Sequence, residues 1–158
     1  MKALVAYYSR TGNTRFVAQR IAVEIAADLE EIIDRKNRKG RMRFVSCGKA
    51  AKRGDTTEIE DAKISPSDYD LVVVGTPVWG GYPAPAVRTY LSKYDFSGKK
   101  IAVFCTCGRL KGRTIERVKA IVPGGTFVGE LAVAVGFKKK EKIQNEISAW
   151  CKSLTVIT

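Results

Sequence analysis

Not one of the 158 residues is a histidine. Nucleophilic machinery built on Ser–His or Cys–His pairs is thereby excluded, as is any metal site held by imidazole. Cysteine is scarce and irregularly spaced, at Cys47, Cys105, Cys107 and Cys151. The Cys-x-Cys pair has no second pair to complete a zinc site, and four such residues do not form a disulfide framework, so reduced thiols are expected. No run of about 18 apolar residues occurs. The opening Met1-Lys2-Ala3-Leu4-Val5-Ala6-Tyr7-Tyr8 lacks the length and cleavage pattern of a secretory signal. A cytoplasmic location is the expectation, with no membrane insertion. With so few reactive side chains, any chemistry is expected to be carried by a cofactor, with no catalytic residue and no metal ligand.

What is present suits one domain spanning residues 1–158, since a 45% hydrophobic chain of this length can cover both faces of one sheet. The formal net charge is +12 and unevenly spread. Residues 35 to 53 hold nine Lys/Arg (Arg35, Lys36, Arg38, Lys39, Arg41, Arg43, Lys49, Lys52 and Arg53) and no acid, against 19 basic and 16 acidic residues elsewhere. Such a patch attracts nucleic acid, an acidic protein or an anionic substrate, or is simply a solvated face.

Residues 2 to 8 form an apolar and aromatic run that ends in a turn at Ser9 to Asn13, the pattern of a strand buried on both faces. Phe16, Val17, Ile21, Ile25 and Leu29 then recur at helical spacing up to about residue 29, with Asn13 or Thr14 as cap. Glu30 to Asp34 reads as a short second strand, and residues 36 to 68 as an aperiodic stretch with one short helix at about 41 to 52. Leu71 to Gly75 is a β-branched third strand. A Pro/Gly-rich loop follows to Pro85, then a helix carrying Val87, Leu91 and Tyr94. Lys99 to Cys105 gives a fourth strand, Gly108 to Gly112 a loop, and Ile115, Val118, Ile121 and Val122 a helix stopped by Pro123-Gly124. Thr126 to Val135 is a fifth strand. Ile143, Ile147, Trp150 and Leu154 lie on one face of a last helix. Five βα units predict an α/β fold, a three-layer, doubly wound, five-stranded parallel sheet with ligands beyond the carboxyl ends of its strands. The loops after the first, third and fourth strands are therefore the ones to read for function.

The first of these is Ser9-Arg10-Thr11-Gly12-Asn13-Thr14, running directly into a helix. Hydroxyls, an amide and the free N–H groups of a helix start converge there, which suits a phosphate dianion, and Gly12 lets the backbone approach closely. The spacing fits neither the dinucleotide nor the Walker pattern. The segment matches [ST]-x-T-G-N-T closing a buried first strand, and by this motif the chain resembles the flavodoxin family. Because no long insertion interrupts the fifth strand, the resemblance is to the short-chain form, and it implies a flavodoxin-like strand order 2-1-3-4-5 with FMN as cofactor. It also implies that Ser9, Arg10, Thr11, Gly12, Asn13 and Thr14 hold the phosphate.

The second loop, Gly75 to Pro85, resembles the family's second flavin loop. Thr76, Pro77, Val78, Trp79, Gly80 and Gly81 then line the ring and Trp79 stacks on it. The plainer alternative is that Trp79 or Tyr82 packs on the neighbouring helix. A peptide at Gly80-Gly81 is implied to turn toward the flavin N5 as the ring takes up one electron, a rotation that glycine makes easy. The third loop, Cys105-Thr106-Cys107-Gly108-Arg109, places Thr106, Cys107 and Gly108 at the pyrimidine end. Cys105 reads as an end-of-strand core residue and Cys107 as a small apolar filler ahead of a redox thiol.

The resemblance points to an FMN-binding electron-transfer flavoprotein, a carrier between redox proteins. The alternative is an FMN-dependent NAD(P)H:quinone-type oxidoreductase, although no nicotinamide motif is visible. A flavin-free nucleic-acid binder is disfavoured, because Phe44 is the sole aromatic within the basic stretch and single-strand binders interleave several. Flavodoxin carriers are usually acidic, so the basic charge points to acidic partners, ferredoxin-like or a reductase. Full reduction leaves an anionic ring beside a dianionic phosphate, and basic surroundings oppose the second electron less than acidic ones. The second one-electron potential is expected to be less negative than in an acidic flavodoxin. A potentiometric titration at low salt measures it, because exposed charges are screened over roughly 8–10 Å at ordinary ionic strength. A value as negative as that of acidic flavodoxins would overturn the expectation.

Overall fold

The computed structural model describes residues 1–38, 40, 43–122, 124–136 and 138–157. Of the residues singled out above, Lys39, Arg41 and Pro123 lie outside the described residues. Ala3–Tyr7 forms β1, buried at every position, as an unbroken apolar run at the centre of a parallel sheet must be. It pairs in parallel with β2 (Asp28–Glu31) on one side and β3 (Leu71–Trp79) on the other. β3 pairs with β5 (Lys100–Cys107), and β5 with β6 (Thr126–Ala134), again in parallel. The order is β2-β1-β3-β5-β6, with a two-residue strand β4 (Tyr82–Pro83) folded antiparallel onto the end of β3.

Among the described residues, five α-helices cover the two faces: α1 (Asn13–Glu24), α2 (Arg43–Arg53), α3 (Pro85–Lys93), α4 (Thr114–Ile121) and α5 (Lys140–Ile157). The strands alternate their side chains between the layers, as period two demands. Val5, Val73 and Phe104 pack with Val17 and Ile21 of α1 and with Ile143, Ile147 and Leu154 of α5. Leu4, Val72, Val74 and Val103 pack on the other face with Ala51 of α2, Val87 and Leu91 of α3, and Ile115 and Val118 of α4. The expected three-layer, doubly wound α/β sheet is thus present. Among the described residues, no helix is long and apolar enough to cross a membrane.

The structure corrects the boundaries of four elements. The first helix stops at Glu24 rather than near residue 29, because Ala26 takes a left-handed φ of 50° and Ala27 N–H donates to Ala22 O at 2.9 Å. That turn delivers the chain to β2 at Asp28, so Leu29 is a strand residue and Asp34 makes only an isolated bridge with Ile59. The third strand runs on through Thr76, Pro77, Val78 and Trp79 instead of ending at Gly75. Gly80 and Gly81, at φ of 62° and 84°, form the two-residue turn into β4, a conformation that asks for positive φ at both central residues. The sheet therefore has six strands rather than five, the added one lying off the main path. Finally, the strand expected to end at Cys105 continues to Cys107.

Gly75 marks where β3 and β5 fit most closely. A Cβ at that position would lie 2.1 Å from Cζ of the fully buried Phe104, so the ring occupies the space a side chain would need. Gly75→Ala is expected to lower stability by about 1–3 kcal/mol through overpacking, read from the urea midpoint at unchanged slope. Equal midpoints would mean that the Phe104 ring has room to move.

Candidate functional site

At the carboxyl edge, β1 passes through Tyr8 and Ser9 into the start of α1. Gly12 sits at the helix N-cap with φ 98°, and no side chain caps the helix. Gly12 N–H donates to Ser9 Oγ at 3.1 Å, so Ser9 shapes the turn. The first turn contains no acid. An uncapped helix start free of carboxylates keeps its N–H groups and positive dipole end for an anion. A Cβ on Gly12 would meet nothing within 4 Å, so glycine is needed there for its φ, and the approach to the loop is open.

Thr14 ties this loop to another. Its buried hydroxyl shares a 2.8 Å hydrogen bond with that of Thr106, at the end of β5. Around this link lies a cleft of about 280 Å³. Arg10, Thr11, Asn13 and Thr14 line it from the first loop, Pro77, Val78 and Trp79 from the end of β3, and Thr106, Cys107 and Gly108 from the end of β5. Those ten of the residues expected at the site are brought together. Ser9 and Gly12 line an adjoining depression that runs along Asp34 to Arg38. Thr76 is fully buried, and its Oγ1 accepts from Ala84 N–H at 3.1 Å and donates to Pro77 O at 3.0 Å, which secures the start of α3. Gly80 and Gly81 form the hairpin turn and do not line the cleft. Val135 and Gly136, which do line it, were missed. The signal available was their place after the last strand at the same sheet edge.

Trp79 both packs and lines. It is 6% exposed, meets the Tyr8 ring edge-on at 5.7 Å between centroids, and has the Arg38 guanidinium 5.8 Å from its ring centre. Arg38 is itself buried, in a 2.6 Å ion pair with Asp34. Asp34 also accepts from Thr57 Oγ1 at 2.8 Å and from Lys36 N–H at 2.9 Å. Arg10 donates to Arg38 O at 2.8 Å and to Gly40 O at 2.7 Å, joining the first loop to this cluster. A carboxylate, a guanidinium and an indole thus form a stack behind the cleft, held by charge and by the attraction of a cation to an aromatic ring. Sequence reasoning counted Arg38 only as one cation of the acid-free basic stretch, because its acid lies one residue outside that stretch.

The hairpin is fastened from the opposite side. Arg117 of α4 donates to Gly81 O and lies over the Tyr82 ring at 3.4 Å. Gly112 meets the turn so closely that a Cβ there would come within 2.6 Å of Gly81 Cα. Burial pushes Cys105 up to about 12 and also raises Cys107, whose Sγ donates to Val133 O at 3.7 Å. Both therefore stay protonated near neutral pH, and Cys107 is an uncharged wall of the cleft. Taken together, one end of the site suits a phosphate and the rest offers an aromatic and apolar slot bounded by backbone. That donor set fits a planar ring carried on a phosphate tail.

The family model described as Flavodoxin matches residues 2–151. The flavodoxin-like domain-containing protein BilS of Clostridioides difficile (strain CD3) is 29% identical over 158 residues, covering 94% of this chain and 76% of that protein. Among solved structures, the flavoprotein from Lactobacillus acidophilus NCFM in complex with FMN gives a TM-score of 0.73 at 25% identity, covering 94% of this chain and 97% of that one. Oxidised Flavodoxin 2 from Bacillus cereus shares the fold, with a TM-score of 0.63 at 20% identity and both chains covered at 100%. With the match running from the start of β1 well into α5, the chain belongs to the flavodoxin family.

Proposed function

We propose that the cleft binds FMN and that the protein works as a single-domain cytoplasmic carrier, passing electrons between redox proteins. The observation that carries this reading is the joining, through Thr14 and Thr106, of an uncapped helix start to the slot beside Trp79. Bound FMN supplies one- and two-electron redox chemistry. The chain's own residues do the rest. The amides at the start of α1 would meet the phosphate, with Ser9 holding the turn in shape and Arg10 lining the cleft beside it. Trp79, Val78 and Pro77 form one wall for the ring, and Cys107, Gly108 and Thr106 the other. The buried Asp34–Arg38 pair keeps Trp79 in place. The FMN complex of the Lactobacillus acidophilus flavoprotein, similar along nearly the whole chain, supports the cofactor. A net charge of +12 favours partners with acidic faces, ferredoxin-like proteins or a reductase.

The purified protein is expected to be yellow, with the two visible flavin bands, and to release FMN on denaturation. A colourless protein that takes up no added FMN would sink the reading. Thr14→Val leaves the buried Thr106 hydroxyl unpaired. It is expected to cost about 1–3 kcal/mol of stability and to raise the Kd for FMN about tenfold, since a cleft that must be ordered on binding loses affinity. Quenching of flavin fluorescence on titration measures that Kd. The double variant with Thr106→Val should cost less than the two singles added together, because both remove the same bond. An unchanged Kd in Thr14→Val would show that the link plays no part in binding.

A further inference from the structure

The rim of the cleft carries a second basic face, separate from residues 35 to 53. The loop from Gly108 to Arg113 holds Arg109, Lys111 and Arg113 and no acid, and the approach to α5 and its first turn add Lys138, Lys139, Lys140 and Lys142. These stretches are neighbours in space. Val135 N–H donates to Cys107 O at 3.0 Å, and a Cβ on Gly136 would stand 3.7 Å from Gly108 O. Some of the charge is answered locally, with Lys138 paired to Glu146 at 2.7 Å and Lys111 to Glu130 at 3.5 Å, and Glu116 and Glu141 stand nearby. Arg113, Lys139, Lys140 and Lys142 are exposed with no ion-pair partner among the described residues.

Amid these cations stands Leu110, 81% exposed and two residues from Gly108 in the cleft wall. Its loop is not slack, because Gly112 is wedged against Gly81 and Arg117 clamps the same turn. The residue 35–53 stretch differs. All four of its described arginines are engaged within the chain, Arg35 with Glu58, Arg38 with Asp34, Arg53 with Asp55 and Arg43 with Asn37 O, and its exposed charge is left to lysines such as Lys49 and Lys52 of α2.

We propose that an acidic redox protein docks on this rim, its carboxylates facing residues 109–113 and 138–142 and an apolar patch on it receiving Leu110. The inference rests on the FMN reading, since docking here sets the partner over the mouth of the cleft. An apolar centre ringed by charge is the usual anatomy of a protein contact: the ring steers the encounter and the desolvated centre holds it. An exposed leucine offers no stacking surface, which argues for a protein rather than a single-stranded nucleic acid.

The test titrates the FMN-loaded, 15N-labelled protein with an oxidised acidic [2Fe–2S] ferredoxin at low salt, so that binding is read without electron transfer. Amide signals of residues 108–113 and 138–142 are expected to shift or broaden, and those of α2 to stay. Charge reversal by Lys139→Glu, Lys140→Glu and Lys142→Glu together should weaken binding at least tenfold. The matched reversal Lys49→Glu with Lys52→Glu on α2 should change it less than twofold. Leu110→Ser should weaken binding severalfold at high salt as well as low. Shifts centred on α2, equal losses in both charge variants, or no binding by the native protein would overturn the proposal. A protein that holds no FMN overturns the cofactor reading itself, which the visible spectrum of the same sample reports separately.

Discussion

Parallel pairing is the constraint on which the rest of this molecule depends. Two parallel neighbours cannot be joined by a tight turn, so each connection crosses back over a face of the sheet, and every strand-to-helix loop emerges at one edge. β1, β3, β5 and β6 obey this, which is why residues as distant in sequence as Arg10, Trp79, Gly108 and Gly136 share one cleft. Both faces of such a sheet must be covered, and the alternation of Leu4 and Val5, or Val72 and Val73, between the two cores does that. The position of the site is therefore a consequence of pairing, and its chemistry a consequence of what the loops contain.

The loops are braced rather than merely adjacent. Thr14 and Thr106 join the first to the third, Arg117 and Gly112 fasten the hairpin after β3, and Arg10 reaches the backbone of Arg38 and Gly40. Apart from the steric fit of Gly112, each brace uses a polar group that would cost free energy if buried without a partner, so the site's order and its hydrogen bonding are closely tied. The Asp34–Arg38 pair belongs to this set. A buried ion pair is a weak source of stability, and its value here lies in placing a guanidinium beside the Trp79 ring.

What could be read from residue order was local. Ser9 to Thr14 announced itself because its chemistry is contiguous, and the amphipathic face of Ile143, Ile147 and Leu154 because helical spacing is regular. The hairpin was hidden by its own composition. Pro77, Gly80 and Gly81 read as breakers, yet two glycines are what a two-residue turn requires, so the strand around them passed for loop. The early end of α1 was hidden for another reason: Ala26 is a good helix former held left-handed by its surroundings. Arg38 and Val135 were missed because their partners are far away in sequence or are a cleft that exists only once the strands have paired.

Net charge is a property of the whole chain, whereas a flavin in the cleft would feel a field. Exposed charges fade over roughly 8–10 Å at ordinary ionic strength, so position decides which of the 28 basic residues count. Arg38 is near the cleft wall, but Asp34 at 2.6 Å turns its charge into a short dipole whose field falls away faster than that of a lone cation. Arg35 and Arg53 are offset in the same way by Glu58 and Asp55. In the densest basic segment of the sequence, three of the described cations are thus offset by an acid. The stretches that follow Gly108 and Gly136 at the cleft carry Arg113, Lys139, Lys140 and Lys142, which have no ion-pair partner among the described residues, and an effect of basicity on the second electron is to be sought at them.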